Sequence, residues 1–348
     1  MKNAKVTVLL PVYNGEKYLE SAIRSIVRQT YIDWELWVLD DGSTDLSLEI
    51  ARSSEDPRVR SVPNEKNLGV AKTLNRALTK VKTEFVARMD SDDECLPQRL
   101  EKQVAYFQEN SHLALLGTQA LSAETGKATF RVPFDHESIR ANLLFNCSFL
   151  HPTVMWRTDS FRTHNLQYDE SPTAEDYDLW ERTCQVAATG NLSVPLLRYR
   201  DDPSVKVTDY VRQQKEGGRR VRERALGRLG LQPSDREKEV HHAVCYDNLP
   251  QPAIPVAEVD RWLARILLSN RESGVLEERS LLRRLHLQRY YHLVRNKPTA
   301  SLAEFFRSKG ELGRVPMGLA VRASVKKFNR SSIRRALSAE ASAKEEDG

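Results

Sequence analysis

Three carboxylates lie within four residues of one another in the segment Asp90-Ser91-Asp92-Asp93. They follow an apolar run at residues 85–89 that has the pattern of a buried strand. Close like charges raise one another's pKa and cost folding energy unless a cation neutralises them. Carboxylate oxygens suit Mg²⁺ or Mn²⁺, which also bind phosphate oxygens. The segment therefore predicts a site for Mn²⁺ or Mg²⁺. The alternative is a solvated acidic turn that caps the helix beginning near Pro97.

A second acidic turn, Asp40-Asp41-Gly42-Ser43-Thr44-Asp45, follows another apolar run at residues 34–39. Asp40 and Asp41 point to opposite sides of an extended chain, so we expect only one of them to contact a ligand. Asp45 is expected to cap the next helix, because Asp is a common N-cap residue.

Strand-like and helical patterns alternate along the first hundred residues. A run at residues 6–10 leads into Pro11-Val12-Tyr13-Asn14-Gly15, and a helix follows whose apolar residues are spaced i, i+3, i+4, i+7. This alternation predicts an α/β fold with a mostly parallel central sheet flanked by helices. Both acidic turns follow strands at their carboxyl ends, where open α/β sheets bind ligands. We therefore expect the two turns to face one pocket.

Five short motifs follow one another along the chain. They are Leu10-Pro11-Val12-Tyr13-Asn14, Asp40-Asp41-Gly42-Ser43, Asn67-Leu68-Gly69-Val70 with Asn75, Asp90-Ser91-Asp92-Asp93, and Ala174-Glu175-Asp176-Tyr177-Asp178-Leu179-Trp180. In this order and spacing they resemble the motifs of family 2 glycosyltransferases. The resemblance covers about residues 5–205 and implies the A-type, Rossmann-like fold of nucleotide-diphospho-sugar transferases. It also implies a bacterial enzyme that adds single sugars to a hydroxyl acceptor.

The resemblance implies a role for each acidic turn. Asp92 would be the leading metal ligand, with Asp90 helping directly or through the donor ribose, while Asp93 would orient them. Either Asp41 or Asp40 would accept the ring N–H of a pyrimidine base. The wall of that donor site would be formed by Pro11, Val12, Tyr13 and Asn14.

The Glu175-Asp176 pair matches the family motif that supplies a general base. Asp176 would deprotonate the acceptor hydroxyl in a direct displacement that inverts the anomeric configuration, and Glu175 would lie beside it at the substrate. On local sequence alone, both acids could simply favour the positive end of the following helix. Trp180 could stack on an acceptor sugar, although a core position is the commoner role.

Two departures from the family pattern concern the substrates. A Tyr-Arg-x-His sequence is replaced by Tyr199-Arg200-Asp201-Asp202. A histidine contact to metal or diphosphate is therefore missing, and Asp202 could replace it as a carboxylate ligand. The Gln-x-x-Arg-Trp signature of processive synthases is absent after residue 180, which favours single additions. His151 could lie near the acceptor or be a structural histidine, and His241-His242 is interpreted as surface.

Charge divides the chain near Asp209. The net charge of +5 is uneven, since residues 211–348 hold 28 Lys and Arg against 17 Asp and Glu. We predict a catalytic domain at 1–208, a basic, mainly helical extension at 209–338 and a disordered tail at 339–348. Residues 321–335 could form a basic amphipathic helix that contacts an anionic membrane or packs on the catalytic domain.

The remaining features concern compartment and function class. The sequence has no apolar run of transmembrane length and no signal-peptide pattern, and its four cysteines are scattered. These features fit a cytoplasmic protein. If the tail binds lipid, the protein would be peripheral on the inner face of the cell membrane. We expect a UDP- or dTDP-sugar donor and a glycan or lipid-linked glycan acceptor in bacterial cell-surface polysaccharide biosynthesis. A sugar-1-phosphate nucleotidyltransferase would need a glycine-rich, Arg-containing loop that residues 11–15 lack. An inactive scaffold is disfavoured by the intact acidic motifs, and nucleic-acid binding by the lack of interleaved aromatics in the basic tail.

Overall fold

One eight-stranded sheet with helices packed on it carries the acidic motifs. The computed structural model describes residues 4–129, 132–171, 174–200, 209–245 and 254–296. The strands are β1 (Val6–Val12), β2 (Trp34–Asp40), β3 (Val59–Ser61), β4 (Phe85–Arg88), β5 (Glu94–Cys95), β6 (Leu113–Ser122), β7 (Met155–Arg157) and β8 (Ala188–Tyr199).

Helices follow most of these strands. In the amino-terminal part they are α1 (Glu16–Val27), α2 (Ser47–Arg52), α3 (Val70–Leu78), α4 (Arg99–Glu109), α5 (His136–Leu143), α6 (Thr158–Thr163) and α7 (Glu175–Val186), with a 3₁₀ turn at His151–Thr153. The later helices are α8 (Asp209–Arg228), α9 (Asp235–Val244), α10 (Val256–Ser273) and α11 (Glu278–Asn296).

The strand order in the sheet is β3-β2-β1-β4-β7-β6-β8-β5. β1 runs parallel to β2 and β4, β2 to β3, and β6 to β8, whereas β7 is antiparallel to both of its neighbours and β5 to β8. The predicted mostly parallel α/β sheet is therefore confirmed.

Both faces of the sheet are buried, which explains why its strands are apolar at nearly every position. In β1, Val6, Val8 and Leu10 join the core with α1 and α4, while Leu9 joins the core on the opposite face with α3 and α7. This alternation follows from the two-residue period of a strand. Burial on both sides fixes the register of the strands and therefore the positions of the loops at their ends.

The helical extension packs on the catalytic region through a third apolar cluster. Leu144 and Phe145, just after α5, join this cluster with side chains of α8 to α11. The proposed domain division at residue 208 remains a prediction. Residues 297–348, with the basic segment 321–335 and the tail 339–348, lie outside the described residues. Within the described ranges, no helix is both long and apolar enough to cross a membrane.

The interpretation of His241-His242 as surface is wrong. His241 is 0% exposed and His242 is also buried. Nε2 of His241 lies 2.9 Å from the Leu144 carbonyl oxygen, and Trp262 Nε1 donates a hydrogen bond to His241 Nδ1 at 3.1 Å. The pair packs inward because α9 lies against α10 and the segment after α5, contacts that local sequence does not reveal.

Candidate active site

The loops after β1, β2 and β4 meet at the carboxyl edge of the sheet. Asp41 N–H donates to the Val12 carbonyl at 2.8 Å, which joins the first two loops. Gly15 lies so close to the third loop that a Cβ there would stand 3.2 Å from Ser91 Oγ and 2.7 Å from Val12 Cγ2. The fold therefore brings the two acidic turns to the same edge of the sheet, and the expectation that they face one pocket stays a prediction.

Asn14 fastens the loop after β1 to the loop after β2. Its Oδ1 accepts from Thr44 N–H at 2.8 Å, and its own N–H donates to Ser43 Oγ at 3.0 Å. Asn14 has a φ of 51°, a left-handed conformation that Asn tolerates better than most residues. Its side chain thus serves the loop geometry.

Asp45 joins the starts of two helices. Its carboxylate accepts from Ser47 N–H, at the first residue of α2, and from Glu16 N–H, at the first residue of α1, each at 3.0 Å. The N-cap position of α2 is Leu46, so the prediction of Asp45 as the N-cap residue is off by one residue. The carboxylate still satisfies helix-start N–H groups.

Asp41 is a buried anchor for the segment that contains the Asn67-Leu68-Gly69-Val70 motif. Its Oδ1 accepts from Asn64 Nδ2 (2.7 Å), Leu68 N–H (2.9 Å) and Thr73 Oγ1 (2.7 Å). Its Oδ2 accepts from Gly69 N–H at 2.9 Å. Four donors satisfy the roughly four lone-pair positions of a carboxylate, so little capacity remains for a ligand.

Asp40 has the opposite surroundings. It is 1% exposed, and within the part of the chain that the structure describes its Oδ1 has no hydrogen-bond partner, while its Oδ2 accepts a long bond from Ser43 N–H at 3.4 Å. Buried carboxylate oxygens without a donor are uncommon, because the lost hydration is not replaced. Of the two neighbouring carboxylates, Asp40 therefore has the unused acceptor.

The other predicted members of the donor wall differ in exposure. Val12 is buried in the core and contributes its backbone carbonyl to the loop junction. Tyr13 is 50% exposed, and Pro11 is partly exposed. Tyr13 and Pro11 are thus the ones whose side chains remain available to a ligand.

Asp90, Asp92 and Asp93 form a carboxylate cluster. One oxygen of each lies within 4.8 Å of the others, and Asp93 is the most deeply buried of the three. Burial, with the charges of Asp90 and Asp92, raises the pKa of Asp93 to about 8, and burial with the charge of Asp90 raises the pKa of Asp92. Among the described residues, Asp93 Oδ2 has no hydrogen-bond partner. Three carboxylates this close together offer hard oxygen ligands that fit a divalent cation.

Two arginines contact this carboxylate cluster. Arg88, buried at the end of β4, forms an ion pair with Asp90. Arg200, just after β8, donates from its backbone N–H to Asp93 Oδ1 at 2.8 Å and from Nε to the Asp92 carbonyl at 2.9 Å. Neither arginine was predicted from the sequence, although Arg88 stands out as the one charged residue of an apolar strand. Asp202 lies outside the described residues.

Asp176 lies in the first turn of α7, partly open to solvent. Burial, followed by the charge of Glu175, raises its pKa to about 7, and the charges of Arg88 and Asp90 also act on it. Its Oδ1 accepts from Tyr177 N–H at 2.7 Å, and Cys147 Sγ lies 4.0 Å from its Oδ2. A carboxylate whose pKa is near neutral can take up a proton at physiological pH.

Aromatic side chains pack around Trp180 of α7. Trp180 is fully buried, which confirms its core position, and its ring lies 5.9 Å from that of His151. His151 Nε2 is 2.8 Å from the Tyr168 hydroxyl, and burial lowers the pKa of His151 well below its usual range. These contacts favour the structural reading of His151.

The sheet topology and the carboxylate cluster at the carboxyl edge of the sheet together define the A-type nucleotide-sugar transferase class. The family model described as glycosyl transferase family 2 matches residues 7–164. The O-antigen biosynthesis glycosyltransferase WbnJ of Escherichia coli is 36% identical over 204 residues, which cover 56% of this chain and 79% of that protein. The chain belongs to glycosyl transferase family 2, so the predicted family is confirmed.

Solved structures share the fold. S. aureus TarS 1–349 in complex with UDP-GlcNAc matches with a TM-score of 0.54 and 20% identity, covering 83% of this chain and 88% of that one. This chain spans 56% of the longer TarS crystal structure, with a TM-score of 0.56. The mannosyltransferase PcManGT from Pyrobaculum calidifontis, in complex with GDP-Man and Mn²⁺, matches with a TM-score of 0.50 and 16% identity, over 94% of this chain and 89% of that one.

Proposed function

We propose that this glycosyltransferase moves a sugar from a UDP- or dTDP-sugar to a hydroxyl of a glycan or lipid-linked glycan, with inversion, in bacterial cell-surface polysaccharide biosynthesis. The proposal rests on three acidic groups that one transfer reaction could use. These are the buried Asp40 Oδ1, to which no described residue donates, the carboxylate cluster of Asp90, Asp92 and Asp93, and the near-neutral carboxyl of Asp176. The O-antigen relative in E. coli supports the polysaccharide context.

Asp40 is the proposed acceptor for the ring N–H of the donor base. Its Oδ1 receives no hydrogen bond from the described residues, whereas Asp41 accepts four hydrogen bonds from the segment 64–73. Pyrimidine rings of UDP and dTDP carry one such N–H group. Tyr13 and Pro11 would line the site beside it.

Asp92, Asp90 and Asp93 would hold the cation, Mn²⁺ or Mg²⁺. Bound there, it would offset the negative charge of the departing nucleoside diphosphate. Asp93 becomes a third candidate ligand because its Oδ2 is buried and has no donor in the described ranges. The Mn²⁺ of the PcManGT structure supports the proposal that this chain uses a divalent cation.

Asp176 is the proposed general base. In the ionised form it would accept the proton of the acceptor hydroxyl as that oxygen attacks the anomeric carbon. One carboxylate acting as a base needs no covalent sugar intermediate, so the configuration would invert in a single displacement. Glu175 lies beside it and keeps its pKa high.

The test separates donor binding from proton transfer. We expect Asp92→Ala to abolish Mn²⁺-dependent binding of UDP, measured by calorimetry. We expect Asp176→Asn to bind UDP normally but to release UDP from UDP-sugars at least about a hundredfold more slowly, the range typical of a lost general base. Normal turnover in Asp176→Asn, or a product with retained configuration by proton NMR, would contradict the mechanism.

A further inference from the structure

The extension helix α8 contacts the residues immediately before the proposed base. Gln214 Oε1 accepts from Ala174 N–H at 2.6 Å, and Gln214 Nε2 donates to Glu175 Oε2 at 3.0 Å. One amide side chain therefore uses both its acceptor and a donor on two consecutive residues. Asp176 is the next residue along the chain.

The backbone at Ala174 needs such a partner. Ala174 has φ 52° and ψ 43°, a left-handed conformation that is unfavourable for a non-glycine residue. It occupies the N-cap position of α7, and its own side chain makes no cap hydrogen bond. Strained residues persist only where surrounding contacts hold them, and Gln214 supplies such a contact from another helix.

Ion pairs connect the rest of α8 to α7. Arg224 lies 2.7 Å from Asp178 Oδ1 and 3.0 Å from Glu181 Oε2, and Arg228 lies 3.0 Å from Glu181 Oε1. A Cβ at Gly218 would lie 3.8 Å from Tyr177 Cδ1, so the two helices approach closely near the start of α7. These contacts fix the register that brings Gln214 to Ala174.

We propose that Gln214 is a positioning residue for the transfer reaction, which holds Ala174 and Glu175 so that Asp176 faces the acceptor. The inference rests on the proposed role of Asp176 as the base. The extension would thereby complete the catalytic site, although it follows the last of the family motifs.

Several groups besides Gln214 set the environment of Asp176. Glu175 and the turn residue Asp90 add negative charge, Arg88 of β4 adds positive charge, and Cys147 lies against its carboxylate from the segment after α5. Tyr168, whose ring is buried nearby, also interacts electrostatically with it. A change at Gln214 alters the hydrogen bond to Glu175 but does not alter the side chains of Asp90, Arg88, Cys147 and Tyr168.

Two substitutions separate the acceptor and donor functions of Gln214. Gln214→Ala removes both hydrogen bonds. Gln214→Glu keeps an acceptor for Ala174 N–H but places a carboxylate against Glu175, where the wild type has a donor. Gln213→Ala, at the exposed neighbouring position on α8, is the matched control.

The experiment follows UDP release from UDP-glucose, UDP-galactose and UDP-GlcNAc with Mn²⁺, using the full chain. We expect kcat of Gln214→Ala to fall about tenfold or more, as for a misplaced catalytic group, while UDP affinity and the unfolding temperature stay near those of Gln213→Ala. We expect Gln214→Glu to shift the acid limb of the pH profile to higher pH, because the added negative charge disfavours ionisation of Asp176.

The outcomes can be told apart. A kcat of Gln214→Ala equal to that of Gln213→Ala would overturn the inference. So would a parallel loss of UDP affinity, unfolding temperature and kcat, since that pattern reports a general structural role. Asp176→Asn is measured in the same assay: persistent turnover there contradicts the proposed base itself, whereas loss there with normal Gln214→Ala contradicts only the positioning role.

Discussion

Asp40 and Asp41 are adjacent in sequence, yet they differ in what their carboxylates contact. Asp41 accepts four hydrogen bonds from the segment 64–73, whereas Asp40 keeps a buried oxygen to which no residue described by the structure donates. The alternation of a strand predicts that only one of the two faces a ligand, but it does not say which one. The choice depends on the donors that Asn64, Leu68, Gly69 and Thr73 bring from distant sequence.

Asn substitutions at these two positions should give different defects. Asp41→Asn should lower the free energy of unfolding by about 1–3 kcal/mol, because its amide cannot accept from every buried donor around it. Asp40→Asn should weaken UDP affinity about tenfold or more with a smaller loss of stability, because its free acceptor would serve the base. Chemical denaturation and UDP calorimetry on both variants measure the two effects, and the reverse pattern would assign the base contact to Asp41.

The proposed role of Asp176 as the base predicts how transfer depends on pH. Burial and the charge of Glu175 raise the pKa of Asp176 from an ordinary carboxyl value to about 7, so the ionised form that a base requires is lost as pH falls through neutrality. We expect kcat/KM to decrease about tenfold per pH unit below an apparent pKa near 7, as for a single essential base. The profile is recorded by UDP release at saturating Mn²⁺.

Glu175 provides the control for that profile. Its charge is the second cause of the raised pKa of Asp176, after burial. Glu175→Gln removes this charge and should move the acid limb to lower pH. If the acid limb of the pH profile does not move in Glu175→Gln, or is still present in Asp176→Asn, another group controls the rate.

Among the elements, α3 positions the loop that leads to α7. Asn75 Nδ2 donates to the Tyr168 carbonyl at 2.9 Å, and Asn75 Oδ1 accepts from Tyr168 N–H at 3.0 Å. The Asn75 amide thus forms a pair of hydrogen bonds with the Tyr168 backbone, as two residues do in an antiparallel sheet, and this pair joins a helix to a loop. Tyr168 in turn contacts His151 and Trp180, so the pairing links α3 to the support of the proposed base.

Asn75→Asp tests this link with little change in shape. A carboxylate can accept from Tyr168 N–H but cannot donate to the Tyr168 carbonyl, and it would face Glu170, which lies 3.3 Å from Asn75 Nδ2. We expect a stability loss of about 1–3 kcal/mol and a lower kcat. Asn165→Asp, at an exposed site with φ 50°, is the control, and equal effects in both variants would argue against the link.

The parallel strands of the sheet could be predicted more easily than the others. β1, β2 and β4 are apolar runs with helical patterns between them, so sequence periodicity indicates that they are strands. β5 has only two residues and directly follows the acidic turn, and β7 reverses direction between β4 and β6. Segments this short carry too little periodicity to show pairing, which is decided by neighbours distant in sequence.

At the scale of the whole molecule, part of the basic charge of the extension is used inside the protein. The excess of Lys and Arg after residue 210 suggested an anionic partner, and membrane contact of residues 321–335 stays a prediction. Arg224 and Arg228 of α8 instead bind the acids Asp178 and Glu181 of α7. Charge counts cannot reveal such pairs, because their partners lie some 40 residues away in sequence.

This interface leads to a prediction about how the extension and the catalytic region unfold. Glu181 is 1% exposed and holds both arginines, so Glu181→Gln would remove the carboxylate that pairs with Arg228 and would leave Arg224 with Asp178. Losing one partner of a fully buried pair costs about 3–5 kcal/mol, but Arg224 and Arg228 are partly exposed, so we expect about 1–3 kcal/mol. Denaturant unfolding measures the change.

Glu216→Gln, on an exposed pair of α8 with Arg219, is the matched control and should change stability by less than about 0.5 kcal/mol. If α8 also positions the base through Gln214, Glu181→Gln should reduce kcat more than UDP affinity, because its loosened contacts lie on the same two helices. A stability loss without any change in kcat would mean that the interface serves folding alone. Unchanged stability and kcat in Glu181→Gln would contradict the interface as described.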